Sequence, residues 1–223
     1  IKSEAEVSLR MTLLREHVMR IVEVGRRAGA RVVIVPAVPN LLSPPGDSVH
    51  GSEADVGSGQ WGQLDHDAER QFKGRDWQGL GETAETMIAL DEHYALAHFW
   101  NGLSLLGRGR IEEGRAALVE ANRRDRRGTR SNPAVIETIR RATADAGGTL
   151  MSVDELFQGP LEAEFRRMAA GGVQELFVDH CHPTVKGHAL IAAALVEVVT
   201  AREPGRPSTS SPGTAPDPVV PRR

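Results

Sequence analysis

The run Arg31-Val-Val-Ile-Val35 constrains this chain more than any other stretch. It is short, β-branched and continuously apolar, which predicts a strand buried on both faces, as in a parallel sheet. The segment before it, residues 3 to 28, places Val7, Met11, Leu14, Val18, Ile21 and Val22 at three- and four-residue steps, the spacing of an amphipathic helix. Gly29 follows Arg26 and Arg27 and reads as the helix stop. Helix, glycine turn and buried strand make half of an α/β unit. The texture returns later. A helix is expected over 132 to 146, with Asn132 as cap and Pro133 in the first turn, and Gly147-Gly148 ends it. Thr149 to Val153 then reads as a second strand. A helix over 160 to 170 and a last one opening at Thr184 complete the pattern.

Between these halves the chain changes character. Residues 36 to 60 hold Pro36, Pro39, Pro44 and Pro45 with several Gly and Ser, and predict a long loop at the C-terminal end of the first strand. In open α/β sheets ligands bind at that end. Residues 64 to 125 are helical and repeat. Helices are expected from Trp77 to Leu90, Ala95 to Leu106 and Ile111 to Ala121. Gly102, Leu105, Gly109, Ile111, Gly114, Leu118 and Ala121 fall near tetratricopeptide (TPR) spacing, and Trp77, Ala84 and Leu90-Asp91 echo them about 34 residues earlier. Trp61, Trp77 and Trp100 read as packing residues of these helices. The division expected is 1–45 and 128–201 as two α/β segments, 46–127 as a TPR-like helical insertion, and 202–223 as a Pro/Ser-rich disordered tail.

Composition excludes more than it selects. A net charge of −3 over 223 residues gives no field that calls for nucleic acid. The basic run Arg123, Arg124, Arg126, Arg127 and Arg130 lacks interleaved aromatics and fits a solvated helix C-terminus. Cys181 is the sole cysteine, so no internal disulfide forms. No run of about 18 apolar residues spans a bilayer. The sequence opens on Ile1 with no signal-peptide pattern, so a longer or processed protein is expected.

The chemistry concentrates in Phe177-Val-Asp-His-Cys-His-Pro-Thr-Val-Lys-Gly-His188. Asp179 and His182 stand three apart just before a helix. A carboxylate there can accept the imidazole Nδ1 proton and leave Nε2 to act as base. The bland alternative is a helix-capping Asp with a hydrogen-bonded His. Zinc is a second alternative, because Asp179, His180, Cys181, His182 and His188 are ligand types. Residues so close together rarely all reach one tetrahedral ion, and no second ligand pair stands elsewhere. Cys181 reads as a small buried filler, and His188 as a packing or supporting residue beside the base.

The pattern Asp179-x-x-His182-Pro183, followed by Gly187-His188 and an apolar helix, resembles the last conserved block of SGNH (GDSL-type) hydrolases. With Pro36-Ala-Val-Pro-Asn-Leu41 and the repeat, the chain is similar to a TPR-containing subfamily over about residues 1 to 200. The resemblance implies a three-layer, flavodoxin-like α/β parallel sheet, partly present, with the TPR-like hairpin inserted. It also implies an esterase or acyl-transfer activity on a small-molecule or glycan ester, with Asp179 as orienting acid and His182 as general base. No metal or organic cofactor is implied. The family's nucleophilic Ser and its oxyanion-hole blocks would lie before Ile1. Gly46-Asp47-Ser48-Val49 offers a serine, but Asn-Leu-Leu-Ser-Pro-Pro separates it from the strand, and Ser48 reads as part of a turn. Asn40 lacks the family's Gly-x-Asn context and is expected only to border the cleft. The rival reading from another class is a TPR-type protein-binding module, contacting peptides through its helices without catalysis.

Overall fold

The computed structural model describes residues 4–51, 58–126 and 131–201. In chain order its elements are α1 (Glu4–Arg27), β1 (Val33–Ile34), α2 (Ser58–Gly74), α3 (Trp77–Leu90), α4 (Ala95–Gly107), α5 (Ile111–Arg124), α6 (Pro133–Asp145), β2 (Thr149–Leu150), α7 (Asp154–Gln158), α8 (Leu161–Ala169) and α9 (Val185–Thr200). The tail from 202 onward, expected to be disordered, lies outside the described residues, as do Arg127 and Arg130.

The helices form where periodicity and capping place them. Asp76 accepts the Gly79 N–H to open α3, and Asn132 accepts the Val135 N–H to open α6 with Pro133 behind it. Gly29, Gly109 and Gly147 take positive φ at helix ends, where a side chain would be strained. The helical stretch expected from residue 64 starts earlier, and the loop expected over 36 to 60 ends sooner, because α2 begins at Ser58.

Helices α2 to α5 stack in chain order, joined by short turns that force hairpins. The tightest contact is α4 on α5. A Cβ on Gly102 would stand 2.7 Å from Leu118 Cγ and 3.0 Å from the Gly114 carbonyl, and one on Gly114 would stand 2.8 Å from Leu106 Cγ. The glycines thus let two backbones meet over a core of Leu80, Leu103, Leu106 and Leu118, which Leu42 and Phe165 complete from outside the stack. A second core holds Val38, Met151, Val153, Phe157, Leu176 and Phe177, covered by α9. Helix α1 packs on α6, and Arg26 Nη1 donates to the Ala146 carbonyl at 2.7 Å.

The three-layer α/β sheet expected from the sequence does not form. The chain is mostly helical, of helical-bundle-like class. Among the described residues the only sheet is β1 paired with β2, parallel, with Val33 opposite Thr149 and Ile34 opposite Leu150. Both strands stand where the apolar runs predict, but open sheets usually need about four to six strands, and the other described residues supply none. The remaining apolar run, Leu176 to Val178, is used up locally. Phe177 bridges Pro183 antiparallel, the Thr184 N–H donates to the Leu176 carbonyl at 2.9 Å, and the Val178 N–H donates to the His182 carbonyl at 2.8 Å. Its backbone groups therefore face its own downstream chain and cannot extend the β1–β2 pair.

Candidate active site

Asp179 and His182 sit at the tip of that tight loop. Its base is clamped by α9. The Thr184 hydroxyl accepts the Gly187 N–H at 3.2 Å, capping the helix, and donates to the Glu175 carbonyl. Gly187 is buried with no room for a side chain, since a Cβ there would fall 2.4 Å from the Leu176 carbonyl oxygen and 2.8 Å from Pro183 Cβ. The glycine brings the first turn of α9 against the strand-like run, and this fixes the loop from below.

At the tip the carboxylate of Asp179 organises everything within reach. Oδ1 accepts the Cys181 N–H at 2.9 Å and the His182 N–H at 2.8 Å. The same carboxylate meets His182 Nδ1 with Oδ2 at 2.8 Å and Oδ1 at 3.0 Å. The backbone donors of Cys181 and His182, and then the imidazole, hold the Asp179 carboxyl well below the usual carboxylate range. An ionised carboxylate can only accept, so Nδ1 carries the proton and Nε2 is left as the basic nitrogen. The His182 side chain is 72% exposed, and Nε2 has no hydrogen-bond partner among the described residues. The ring is oriented, basic on its outer edge, and open to an incoming hydroxyl.

Asn40 carries the loop from the other side, and this is more than the cleft-bordering place expected of it. It is 3% exposed. Its Nδ2 donates to the Asp179 carbonyl at 2.9 Å and to Gln174 Oε1 at 2.8 Å, while Oδ1 accepts the Leu42 N–H at 3.1 Å. Its own N–H donates to the His180 carbonyl at 3.0 Å. The segment leaving β1 is thereby tied to the backbone on both sides of the acid. The spacing of Asn40 and Gln174, 134 residues apart, gives the sequence no means to announce this.

The other candidates are placed apart from the pair. Ser48 Oγ is buried and has no hydrogen-bond partner among the described residues. Its neighbours Gly46 and Asp47 donate their N–H groups to Asp125 at 3.0 and 3.1 Å, anchoring the turn to the end of α5. His188 is exposed on α9, and its N–H donates to the Thr184 carbonyl at 2.8 Å. No hydrogen bond joins its ring to His182 among the described residues. Cys181 Sγ lies 3.6 Å from His182 Nδ1, the nitrogen already committed to Asp179. Burial, and then the Asp179 charge, push its thiol up, so it stays protonated and is a poor nucleophile. Asp179, Cys181 and His182 do bring one potential ligand atom each within 4.8 Å of one another. A cation there would have to take the Asp179–His182 hydrogen bond away from both partners, because the carboxylate and Nδ1 are turned on each other. In the basic run, Arg123 and Arg124 both pair with Glu120. Trp61, Trp77 and Trp100 pack in the helical cores.

A second Asp–His pair escapes sequence reasoning. His50 Nδ1 meets Asp91 Oδ2 at 3.0 Å, the ring stacks on Tyr94 with centroids 4.3 Å apart, and Trp61 closes in at 4.5 Å. Asp91 also accepts from Gly51 N and His93 N. The aromatic sandwich holds the imidazole in place, and the pair pins the incoming loop to the start of α4. The Leu90-Asp91 step marked the position as a helix end but gave no sign of its partner 41 residues earlier.

No family model, curated protein or solved structure matches the chain.

Proposed function

We propose that this chain supplies the acid and base of a serine-type ester hydrolase or acyl-transfer enzyme. The observation that carries the reading is the carboxylate of Asp179 on His182 Nδ1 at 2.8 and 3.0 Å, with the imidazole's other edge exposed. The resemblance of Asp179-x-x-His182-Pro183 with Gly187-His188 to the last SGNH block supports it from the sequence side. Acting this way, Nε2 of His182 takes the proton of an attacking serine hydroxyl as it adds to the ester carbonyl. The imidazolium, steadied by Asp179, then gives that proton to the leaving alcohol, and water or an acceptor alcohol releases the acyl group by the same two transfers. The resemblance implies a serine outside residues 1–223, and Ser48, whose buried hydroxyl has no hydrogen-bond partner among the described residues, is not given that role.

The second reading, a TPR-type protein-binding module, draws on the stacked helices α2 to α5, which present a helical surface independent of the pair. One experiment separates the two. Fluorophosphonate labelling with peptide mass spectrometry is applied to the 223-residue chain and to the protein expressed from its initiating methionine, each with a His182→Ala control. A serine adduct outside residues 1–223 that disappears with His182→Ala supports the catalytic reading. An adduct on Ser48 refutes the assignment of the nucleophile. Absence of labelling in every sample moves the binding module ahead.

A further inference from the structure

The tip of the Asp179 loop carries a carboxylate, a thiol and an imidazole, the three side-chain types that bind zinc. One ligand atom from each of Asp179, Cys181 and His182 lies within 4.8 Å of the other two, and neither His180 nor His188 joins them. The spacing suits a tetrahedral ion. Zn–S of about 2.3 Å and Zn–N of about 2.0–2.1 Å put sulfur and nitrogen about 3.6 Å apart, and Cys181 Sγ stands 3.6 Å from His182 Nδ1. The carboxylate has to give a little. Zn–O of about 2.0–2.2 Å puts oxygen and nitrogen about 3.3–3.4 Å apart, and Asp179 Oδ2 is now 2.8 Å from Nδ1. The frame behind these atoms is already built. Asn40 holds the Asp179 and His180 carbonyls, and Asp179 Oδ1 accepts the Cys181 and His182 N–H groups. Oδ1 can keep both bonds while Oδ2 turns from Nδ1 to an ion. The Asp179 and His182 side chains are exposed, so an ion arrives from solvent without opening the fold. A thiolate beside an imidazole selects zinc over magnesium or calcium.

We infer that Asp179 Oδ2, Cys181 Sγ and His182 Nδ1 form a zinc site, completed by a water, and that zinc there switches off the acid–base pair. On binding, the thiol gives its proton to solvent. The imidazole stays neutral. Its proton leaves Nδ1 for the metal to enter, and Nε2 takes one from solvent. The nitrogen that would accept a serine proton then already carries one, and Asp179 no longer steadies the ring. The binding stands on geometry alone, whereas the inhibition rests on the hydrolytic reading above.

Cobalt(II) tests the site, because a thiolate bound to it absorbs in the near ultraviolet and Cys181 is the sole cysteine. Titrating the reduced 223-residue chain with Co²⁺ should raise that band to a plateau at one ion per chain, and Zn²⁺ should bleach it. Cys181→Ala should remove the band. His182→Ala should weaken Co²⁺ binding by about 100-fold, since losing a residue that merely supports a ligand already costs about 10–100-fold. Circular dichroism checks that both variants are folded. Absence of the band, a plateau at half an ion per chain, or undiminished affinity in His182→Ala overturns the site. The inhibition is read separately, on the protein that labels with fluorophosphonate. Zn²⁺ should suppress labelling, a chelator should restore it, and Cys181→Ala should need about 100-fold more zinc for the same effect. Labelling that persists with the site filled overturns the inhibition and leaves the zinc site standing. Absence of labelling in every sample overturns the inhibition together with the hydrolytic reading, and the cobalt titration still decides the site.

Discussion

Replacing Asn40 with Ala tests whether the acid–base loop is held by a long-range clamp or only by its own turn. The substitution deletes three side-chain hydrogen bonds, to Gln174, Asp179 and Leu42, and leaves the backbone bond to His180 in place. A buried neutral hydrogen bond contributes about 1 kcal/mol net, so the loss is about 3 kcal/mol, and the buried Leu42 N–H left unpaired pulls it upward. For a chain of this size each kcal/mol moves the melting temperature by about 2–4 °C, which makes the expected drop about 6–12 °C. Gln174→Ala removes one of the three bonds and should cost about 1 kcal/mol. Urea denaturation measures both, with an unchanged slope showing that the denatured state is the same. A loss under about 0.5 kcal/mol for Asn40→Ala would place it with ordinary surface substitutions. The clamp would then be no clamp, and the link between β1 and the Asp179 loop would have to be sought elsewhere.

Gly102→Ala should destabilise by about 1 kcal/mol in the same assay, because overpacking against Leu118 and Gly114 costs about 1–3 kcal/mol and the better helix former returns about 1. Gly62→Ala, exposed on α2 with open space around it, should instead stabilise by about 0.5–1 kcal/mol. The third expectation concerns acid. Burial raises the Asp91 carboxyl, but the N–H groups of Gly51 and His93 and the His50 ring outweigh it, so its net position is below the usual range. A depressed folded value means that the Asp91 contribution is complete above the unfolded value of about 3.9 and is lost as pH falls further, toward the folded one. Denaturation midpoints for Asp91→Asn and the unmodified chain should therefore keep a constant gap above about pH 4 and converge below it, and a gap that stays constant through the acid range below about pH 4 would refute the assignment.

The local parts of this fold were open to reading, and the distant parts were not. Trp77–Leu90 is helical from end to end as its periodicity requires, and Asn132 caps α6 as its place before Pro133 suggests. Such features need only neighbours within a turn or two. The Arg31–Val35 run told correctly of a strand, but wrongly of one buried on both faces, since Val33 and Ile34 are half-buried and Val35 is exposed, and, by its company, wrongly of a broad sheet. β-branching reports the preference of a segment, whereas sheet width depends on how many other segments are free to pair. Leu176 to Val178 were not free, because Thr184 and His182 had already engaged their backbone groups. The motif around Asp179 was legible for the same reason that the helices were, since its acid, base, cap and glycine fall within nine residues. Asn40 and the His50–Asp91 pair depend on partners that the chain brings together from far apart.

One question about the motif is sharp enough to decide by a single atom. Asp179 does two jobs with one carboxylate, accepting two backbone N–H groups that shape the loop and holding His182 Nδ1. A capping residue needs only the first job. Asp179→Asn separates them, because an amide oxygen can still accept from Cys181 and His182 while the amide nitrogen turns a donor toward Nδ1. The imidazole then favours the tautomer with its proton on Nε2, where it cannot take one from a hydroxyl. If the pair is catalytic, Asp179→Asn should unfold within about 1 kcal/mol of the unmodified chain yet lower the rate of fluorophosphonate labelling by about 10³–10⁴ in the protein that labels. Asp179→Ala should lose both properties, since it vacates the N–H groups of Cys181 and His182 as well. Equal labelling rates for Asp179→Asn and the unmodified protein would reduce Asp179 to a cap and leave His182 an oriented ring with no chemistry to perform.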